Sequence, residues 1–343
     1  MTMSMAGPRF DICVVGSGNW GTTLAIMQAL AGRRTVLCTR DPLRAEHILT
    51  RRENIESLPG IPIPSDLSVV AGYAAATEAN YVVLAIPSAH VRTTCRALAP
   101  FLLRDSVIVS AAKGLETNTG LRVSEVIRSE LGDTQRLCVL SGPNLARELA
   151  SGLPAASVLA CADRSVASEC SAAIGTRLFR LYTSEDVIGV ELGGALKNVV
   201  AVAAGVCDGL EMGTNGKAAI VTRGMAEIAR LGQACGADPL TFAGLSGYGD
   251  LFATCNSALS RNHHVGEQLG KGKRLEDVLA SMTMVAEGVN TSRAARVLAE
   301  RHHVEMPIAA EVYEVLFQGK EPGVAMRDLL SRSTRDEQTG LPQ

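Results

Sequence analysis

The stretch VVGSGNWGTTLA, residues 14–25, sets three glycines, Gly16, Gly18 and Gly21, in the order G-x-G-x-x-G directly behind an apolar run. Each glycine answers a separate structural demand. Gly16 permits a tight turn from strand to helix, Gly18 lets a pyrophosphate approach the backbone, and Gly21 lets helix and strand pack closely. The phosphates then face the positive end of the helix. Such a triplet alone is a weak signal. Here it follows a strand, FDICVV (10–15), opens a helix over about Thr22–Ala31, and precedes a second β-type run, RTVLCTR (34–40), at the spacing of a dinucleotide turn. The residues ending that run discriminate between coenzymes. Arg40 suits a 2′-phosphate, whereas Asp41 either accepts from a ribose hydroxyl or simply starts the next helix before Pro42. The pair leans towards NADP(H), with NAD(H) open.

Further continuous apolar runs lie at 81–88, 106–112, 137–143, 155–160 and 179–184. Strands buried on both faces of a parallel sheet read this way. Alternation of such runs with helical stretches predicts an α/β fold, a doubly wound Rossmann-type parallel sheet over residues 8–189. From Asp186 the pattern changes. Helical segments follow one another over about 186–209, 215–235, 239–245, 262–270, 274–281, 288–303 and 307–318. An all-helical domain is expected over 190–330, with the border in or beside a long helix. The polar tail, 331–343, is expected to be disordered.

Composition narrows the function classes. Thirty-three basic against 35 acidic side chains leave a net charge of −2, so no basic excess marks a nucleic-acid surface. The nine cysteines are scattered through apolar stretches without a C-x-x-C pair, the usage of a reducing compartment, and no metal site is expected. The N-terminal residues do not read as a signal peptide. The most apolar segment is interrupted by Glu191 and Lys197, which predicts a buried helix rather than a membrane span. A cytoplasmic protein without membrane insertion is the expectation.

The segment ELGGALKNVVAVAAGVCDG (191–209) places Lys197 on a helical strip of glycine and alanine. Either another helix packs very closely there or a small ligand reaches the amine; an ion pair with Glu191 or Asp250 is the structural alternative. GLSGYGDLFATC (244–255) ends a glycine-rich turn at Asp250, which is a helix cap or a site carboxylate. Ser260, Arg261 and Asn262 fall where a helix begins, a natural seat for a phosphate. His263 and His264 point in different directions on a helix and are expected to be exposed. Lys113 ends the run at 106–112, and Gly142 and Asn144 follow the run at 137–143, all where open α/β sheets bind ligands. These residues alone fit a hydroxy-acid or sugar-acid dehydrogenase, or a non-catalytic dinucleotide sensor, as well as other nicotinamide chemistry.

The set GSGNWGT, AAKGLE, SGPNLARE, GVELGGALKNVVAVAAGVCDG, SGYGDL, LSRN and AEG, in that order, resembles the soluble NAD(P)-dependent glycerol-3-phosphate dehydrogenase family over residues 10 to 330. The resemblance implies a reversible hydride transfer between NAD(P)H and dihydroxyacetone phosphate, giving sn-glycerol 3-phosphate for phospholipid synthesis, in a cytoplasmic homodimer. It implies Lys197 as proton donor and acceptor, with Asp250 and Lys113 as its catalytic companions. Substrate would be held by Lys113, Gly142, Asn144, Lys197, Asp250, Ser260, Arg261 and Asn262. The coenzyme would meet Gly16, Gly18, Asn19, Trp20, Gly21, Arg40, Lys113, Ala146, Arg261, Val285 and Glu287. Position 144 departs from the family's usual hydroxyl residue.

Overall fold

The computed structural model describes residues 9–133, 136–282 and 285–333. The chain forms two compact units. The first takes the chain up to Ala112 with Ser124–Leu140 and Leu145–Glu185; the second takes Lys113–Val123, Ser141–Asn144 and the chain from Asp186 onward.

In the first unit the strands are β1 (Phe10–Val15), β2 (Thr35–Thr39), β3 (Ser68–Ala71), β4 (Ala79–Leu84), β5 (Val107–Ser110), β6 (Arg136–Ser141), β7 (Ala155–Ala160) and β8 (Phe179–Ser184). They form one sheet in the order β3-β2-β1-β4-β5-β6-β7-β8. β1 pairs in parallel with both β2 and β4, and so do β2 with β3, β4 with β5, β5 with β6, and β7 with β8. Order reverses at β1, which sets a topological switch point beside its carboxyl end. All five residues of β2 and all four of β5 are buried, as expected of a sheet covered on both faces. The helix α1 (Asn19–Leu30) shares the apolar core with β1 through Leu24, Ala25, Ile26 and Met27. The doubly wound sheet is thus the predicted architecture. One strand, β3, was not expected; it is a four-residue edge strand, too short to show a pattern.

The second unit is built around α7 (Val187–Gly209). Asp186 caps it, accepting from the Gly189 N–H at 2.9 Å. Every residue from Gly189 to Cys207 is buried, as an apolar surface on all sides requires. It is the one described helix long and apolar enough to cross a membrane, and 89% of that window is buried in the protein. Around it lie α8 (Gly213–Ala234), α9 (Asp250–Asn256), α10 (Arg261–Gly270), α11 (Leu275–Ala280), α12 (Glu287–Arg301), α13 (Pro307–Phe317) and α14 (Pro322–Ser331). The segment 239–245, expected as one helix, is a 3-10 turn (Pro239–Ala243) followed by a π-turn (Leu245–Gly249), because Gly244 between them is extended. The helix α14 was not expected. The predicted disordered tail lies outside the described residues from 334 onward.

Glu227 on α8 is 3% exposed, yet it is ionisable. Its carboxylate accepts from the N–H groups of Ile308 (2.8 Å) and Ala309 (3.3 Å), capping α13 from a neighbouring helix. Burial pushes the carboxyl up to about 7, against those two hydrogen bonds and the Arg230 and Arg332 charges. A carboxyl raised above its ordinary value of 4.5 stabilises the fold when protonated, and that contribution is lost as pH rises from 4.5 through 7. Denaturant unfolding of the wild type should lose about 3 kcal/mol over this window from Glu227 alone. In Glu227→Gln that loss should vanish. An equal pH dependence in both proteins would assign it to other groups.

Candidate active site

The β1–α1 turn requires its glycines. Gly16 has φ +113°, and a Cβ there would stand 2.4 Å from the Ala85 carbonyl oxygen. A Cβ on Gly21 would stand 1.9 Å from the Gly16 carbonyl oxygen, so α1 rests on the turn itself. Gly18 has open space where its side chain would be. It is the N-cap of α1 without a side-chain cap, and the first turn carries no acid. An open, uncapped helix start beside exposed Gly18 fits a pyrophosphate by geometry and by charge. Asn19 Oδ1 accepts from the Trp20 N–H (2.8 Å), and the Trp20 ring meets Phe179 edge-on at 6.1 Å. Asp41 caps α2 (Pro42–Arg51) by accepting from Leu43 N (3.0 Å), which gives it the helix-starting role. Arg40 beside it is exposed and has no hydrogen bond among the described residues. Ala146, buried at the start of α5 (Ala146–Ala150), accepts from the Thr23 hydroxyl through its carbonyl at 3.1 Å.

The helical unit brings together four of the predicted residues, Lys197, Asp250, Lys113 and Gly142. Lys197 Nζ donates to Asp250 Oδ1 at 2.8 Å and to Thr254 Oγ1. Lys113 Nζ donates to the other carboxylate oxygen, Asp250 Oδ2, at 2.6 Å and to the Gly142 carbonyl at 2.7 Å. Asp250 and Lys197 are 2% and 6% exposed. The alternative of Asp250 as a helix cap is overturned. Asp250 is the first residue of α9 and turns its carboxylate to the two amines, while Gly249 holds the cap position. Gly142 has φ +151°, which presents its carbonyl to Lys113 in a conformation few side chains tolerate. Burial, then the nearby Lys197 charge, draw the Lys113 amine down to about 8, and Asp250 opposes the shift. Two ammonium groups around one carboxylate leave an excess positive charge in a buried place. Such a place favours an anion, or an oxygen on which negative charge develops.

The strip of small residues around Lys197 has its explanation in close packing. A Cβ on Gly193 would lie 2.7 Å from the Ser246 carbonyl, and one on Gly194 would lie 2.3 Å from Ser141 Oγ and 3.8 Å from Lys113 Cγ. Lys113 therefore lays its stem over Gly194.

Ser260 caps α10, accepting from His263 N at 3.2 Å. The N–H groups of Arg261 and Asn262 that follow have no acceptor within the helix. Arg261 is half-buried and has no hydrogen bond among the described residues. Burial holds its guanidinium below the ordinary value, against the opposing charge of Glu287 at the start of α12. The Asn262 side chain is occupied: it donates to Asn198 Oδ1 (2.8 Å) and accepts from Gly288 N (2.9 Å), fastening α7, α10 and α12 together. Asn144 is half-buried and Val285 exposed. His263 corrects an expectation. It is half-buried and bonded to Asp208 at 2.7 Å, because that carboxylate ends α7 beside the first turn of α10. Two residues were missed, Thr254 and Asn198. The four-residue spacing of Asp250 and Thr254 and the adjacency of Lys197 and Asn198 were the available signals.

Sheet unit and lysine cluster together define a class, the dinucleotide-dependent oxidoreductases. Residues 11–167 match the family described as NAD-dependent glycerol-3-phosphate dehydrogenase N-terminus, and residues 186–327 match its C-terminus. The chain belongs to this family. It is 46% identical over 327 residues to the glycerol-3-phosphate dehydrogenase [NAD(P)+] of Streptomyces coelicolor, spanning 94% of this chain and 97% of that one. It is 48% identical over 328 residues to the protein of that name from Moorella thermoacetica, spanning 95% and 97%. The crystal structure of glycerol-3-phosphate dehydrogenase from Coxiella burnetii superposes with a TM-score of 0.91 at 32% identity, covering 94% of this chain and 99% of that one.

Proposed function

We propose that this protein catalyses the reversible reaction of sn-glycerol 3-phosphate with NAD(P)+ to dihydroxyacetone phosphate, NAD(P)H and a proton. The observation that carries the reading is the shared carboxylate, with Lys197 and Lys113 on the two oxygens of buried Asp250. The coenzyme, held at the Gly16–Gly21 turn with Arg40 nearby, supplies or accepts the hydride when bound. NADP(H) is favoured by the unpaired Arg40. In the reducing direction the substrate's C2 oxygen gains negative charge, which the cationic cluster stabilises. Lys197 then protonates that oxygen, and Asp250 and Thr254 hold the amine in place. Lys113 adds positive charge beside it. Arg261 and the start of α10 seat the substrate phosphate, with Glu287 restraining the guanidinium. Cytoplasmic location, homodimer assembly and supply of a phospholipid precursor are part of the same reading, on the family resemblance.

Steady-state reduction of dihydroxyacetone phosphate with NADH and with NADPH, followed by loss of reduced-nicotinamide absorbance, tests the reading. Turnover with at least one coenzyme is expected, and more efficiently with NADPH. Oxo acids reduced in place of the phosphorylated ketone, or coenzyme binding without turnover, would refute it. Arg261→Ala should raise KM for the ketone by about 10–100-fold, the weight of one or two charge-assisted hydrogen bonds. An unchanged KM would remove Arg261 from the phosphate seat.

A further inference from the structure

The segment Lys113–Val123 belongs to the helical unit although it leaves β5 of the sheet. It is a closed loop. Leu115 bridges Arg122 in antiparallel fashion, Glu116 N donates to the Leu121 carbonyl (2.9 Å), and Gly120 N donates back to Glu116 O (2.9 Å). Leu115 is fully buried in the helical core. A Cβ on Gly120 would stand 3.4 Å from Val297 Cγ1 of α12, and Arg301 donates to the Thr119 carbonyl at 2.6 Å. On the side facing α7, Arg122 Nη1 meets Glu191 Oε2 at 2.8 Å, with the side chains 17% and 5% exposed.

The order along α7 gives this ion pair its meaning. Gly194 lies three residues, about one turn, from both Glu191 and Lys197, so the three form a strip that winds by about 60° round α7 at each step. Arg122 sits on Glu191, the Lys113 stem crosses Gly194, and the Lys113 amine shares Asp250 with Lys197. The loop is thus laid along the helix that carries the second amine. We propose that Arg122 and Glu191 form a positioning pair that sets the register of the Lys113 loop on α7, and thereby the placement of the two amines on one carboxylate. Neither residue touches the reacting atoms. Without the pair the loop can slide or lift at its Arg122 end, and Lys113 leaves the notch above Gly194. The inference rests on the reading of Lys113 and Lys197 as substrate-handling groups only for its effect on turnover.

Glu191→Gln is the variant of choice, because it leaves no buried carboxylate and Arg122 retains access to water. Two readouts are measured on the full-length protein. The first is steady-state reduction of dihydroxyacetone phosphate: kcat should fall by about 10²-fold, the usual consequence of a small misplacement in an active site. The second needs no activity. Lys113 is labelled with acetic anhydride across pH and read by mass spectrometry; its midpoint should climb from near 8 towards the ordinary lysine value of 10.5 as the amine leaves its buried place. The groups facing this amine are Asp250 on α9, Lys197 on α7 and the Gly142 carbonyl. Arg122→Lys keeps the charge but loses the guanidinium geometry, and should show both effects at smaller amplitude. It also serves if Glu191→Gln does not fold. Wild-type labelling in either folded variant overturns the proposal, whatever happens to turnover. A labelling shift in a protein whose wild type does not reduce dihydroxyacetone phosphate would leave the positioning pair standing and remove the proposed reaction.

Discussion

Replacing Lys197 with alanine is expected to lower kcat for dihydroxyacetone phosphate reduction by about 10²–10⁴-fold, the usual weight of a general acid. The fold should survive the change. Asp250 keeps Lys113 at 2.6 Å on its second oxygen, so no buried carboxylate is orphaned. What disappears is the excess positive charge and the proton source. Lys197→Arg separates those two contributions. A guanidinium restores the charge but cannot release a proton, so a variant that folds should remain close to the alanine level. Recovery to wild-type kcat in the arginine variant would show that charge suffices and that no proton leaves this position. Lys113 adds a pH dependence of known sign. It is cationic below about 8, so reduction should decline as pH rises through that value, where the cluster loses a positive charge. Because Lys197 is not among the assigned coenzyme contacts, KM for NADPH should stay near its wild-type value in the alanine variant.

The buried, partnered place of Lys197 was legible in the sequence because charged side chains are scarce in apolar helix; a lysine there demands an account. The sheet was legible for a related reason: runs such as YVVLAIPS leave no polar face, and strands buried on both faces need none. Short or irregular pieces escaped. The edge strand β3 contributes only Ser68–Ala71, and GLSGYG masked the helix start that aims Asp250 at the lysines. Glu227 was invisible in another way. Its role depends on the α13 backbone some 80 positions away, a pairing that no local pattern encodes. The same holds for Lys113–Val123. A stretch that looks like an ordinary connection after a strand is committed to the helical unit through Leu115, Arg122 and Gly120. The correction of His263 is similar in kind, since its partner Asp208 arrives from the end of α7.

Substituting Gly266 with alanine should destabilise the helical unit by about 3 kcal/mol, at the upper end of ordinary overpacking. A methyl there would stand 1.9 Å from the Val202 carbonyl oxygen and 2.9 Å from Val206 N, both backbone atoms of α7. The clash cannot be relieved by rotating a side chain. The contact is reciprocal: a Cβ on Gly205 would lie 2.0 Å from the His263 carbonyl, and Gly209 and Gly270 repeat the arrangement one turn on. Two G-x-x-x-G faces therefore let α7 and α10 touch backbone to backbone. Forcing them apart displaces the helix that begins with Ser260 and Arg261 and stretches the Asn262–Asn198 hydrogen bond. Thermal unfolding should fall by roughly 6–12 °C for a unit of this size, and KM for the phosphorylated ketone should rise with it. Gly216→Ala is the matched comparison. That glycine lies in α8 with only Met212 side-chain atoms nearby, at 3.3 Å or more, and alanine favours helix by up to about 1 kcal/mol. The same substitution should thus stabilise at 216 and destabilise at 266. A Gly266→Ala protein that unfolds within a degree or two of wild type would mean that the helices can separate freely, and that Arg261 is not held in place by the α7–α10 crossing.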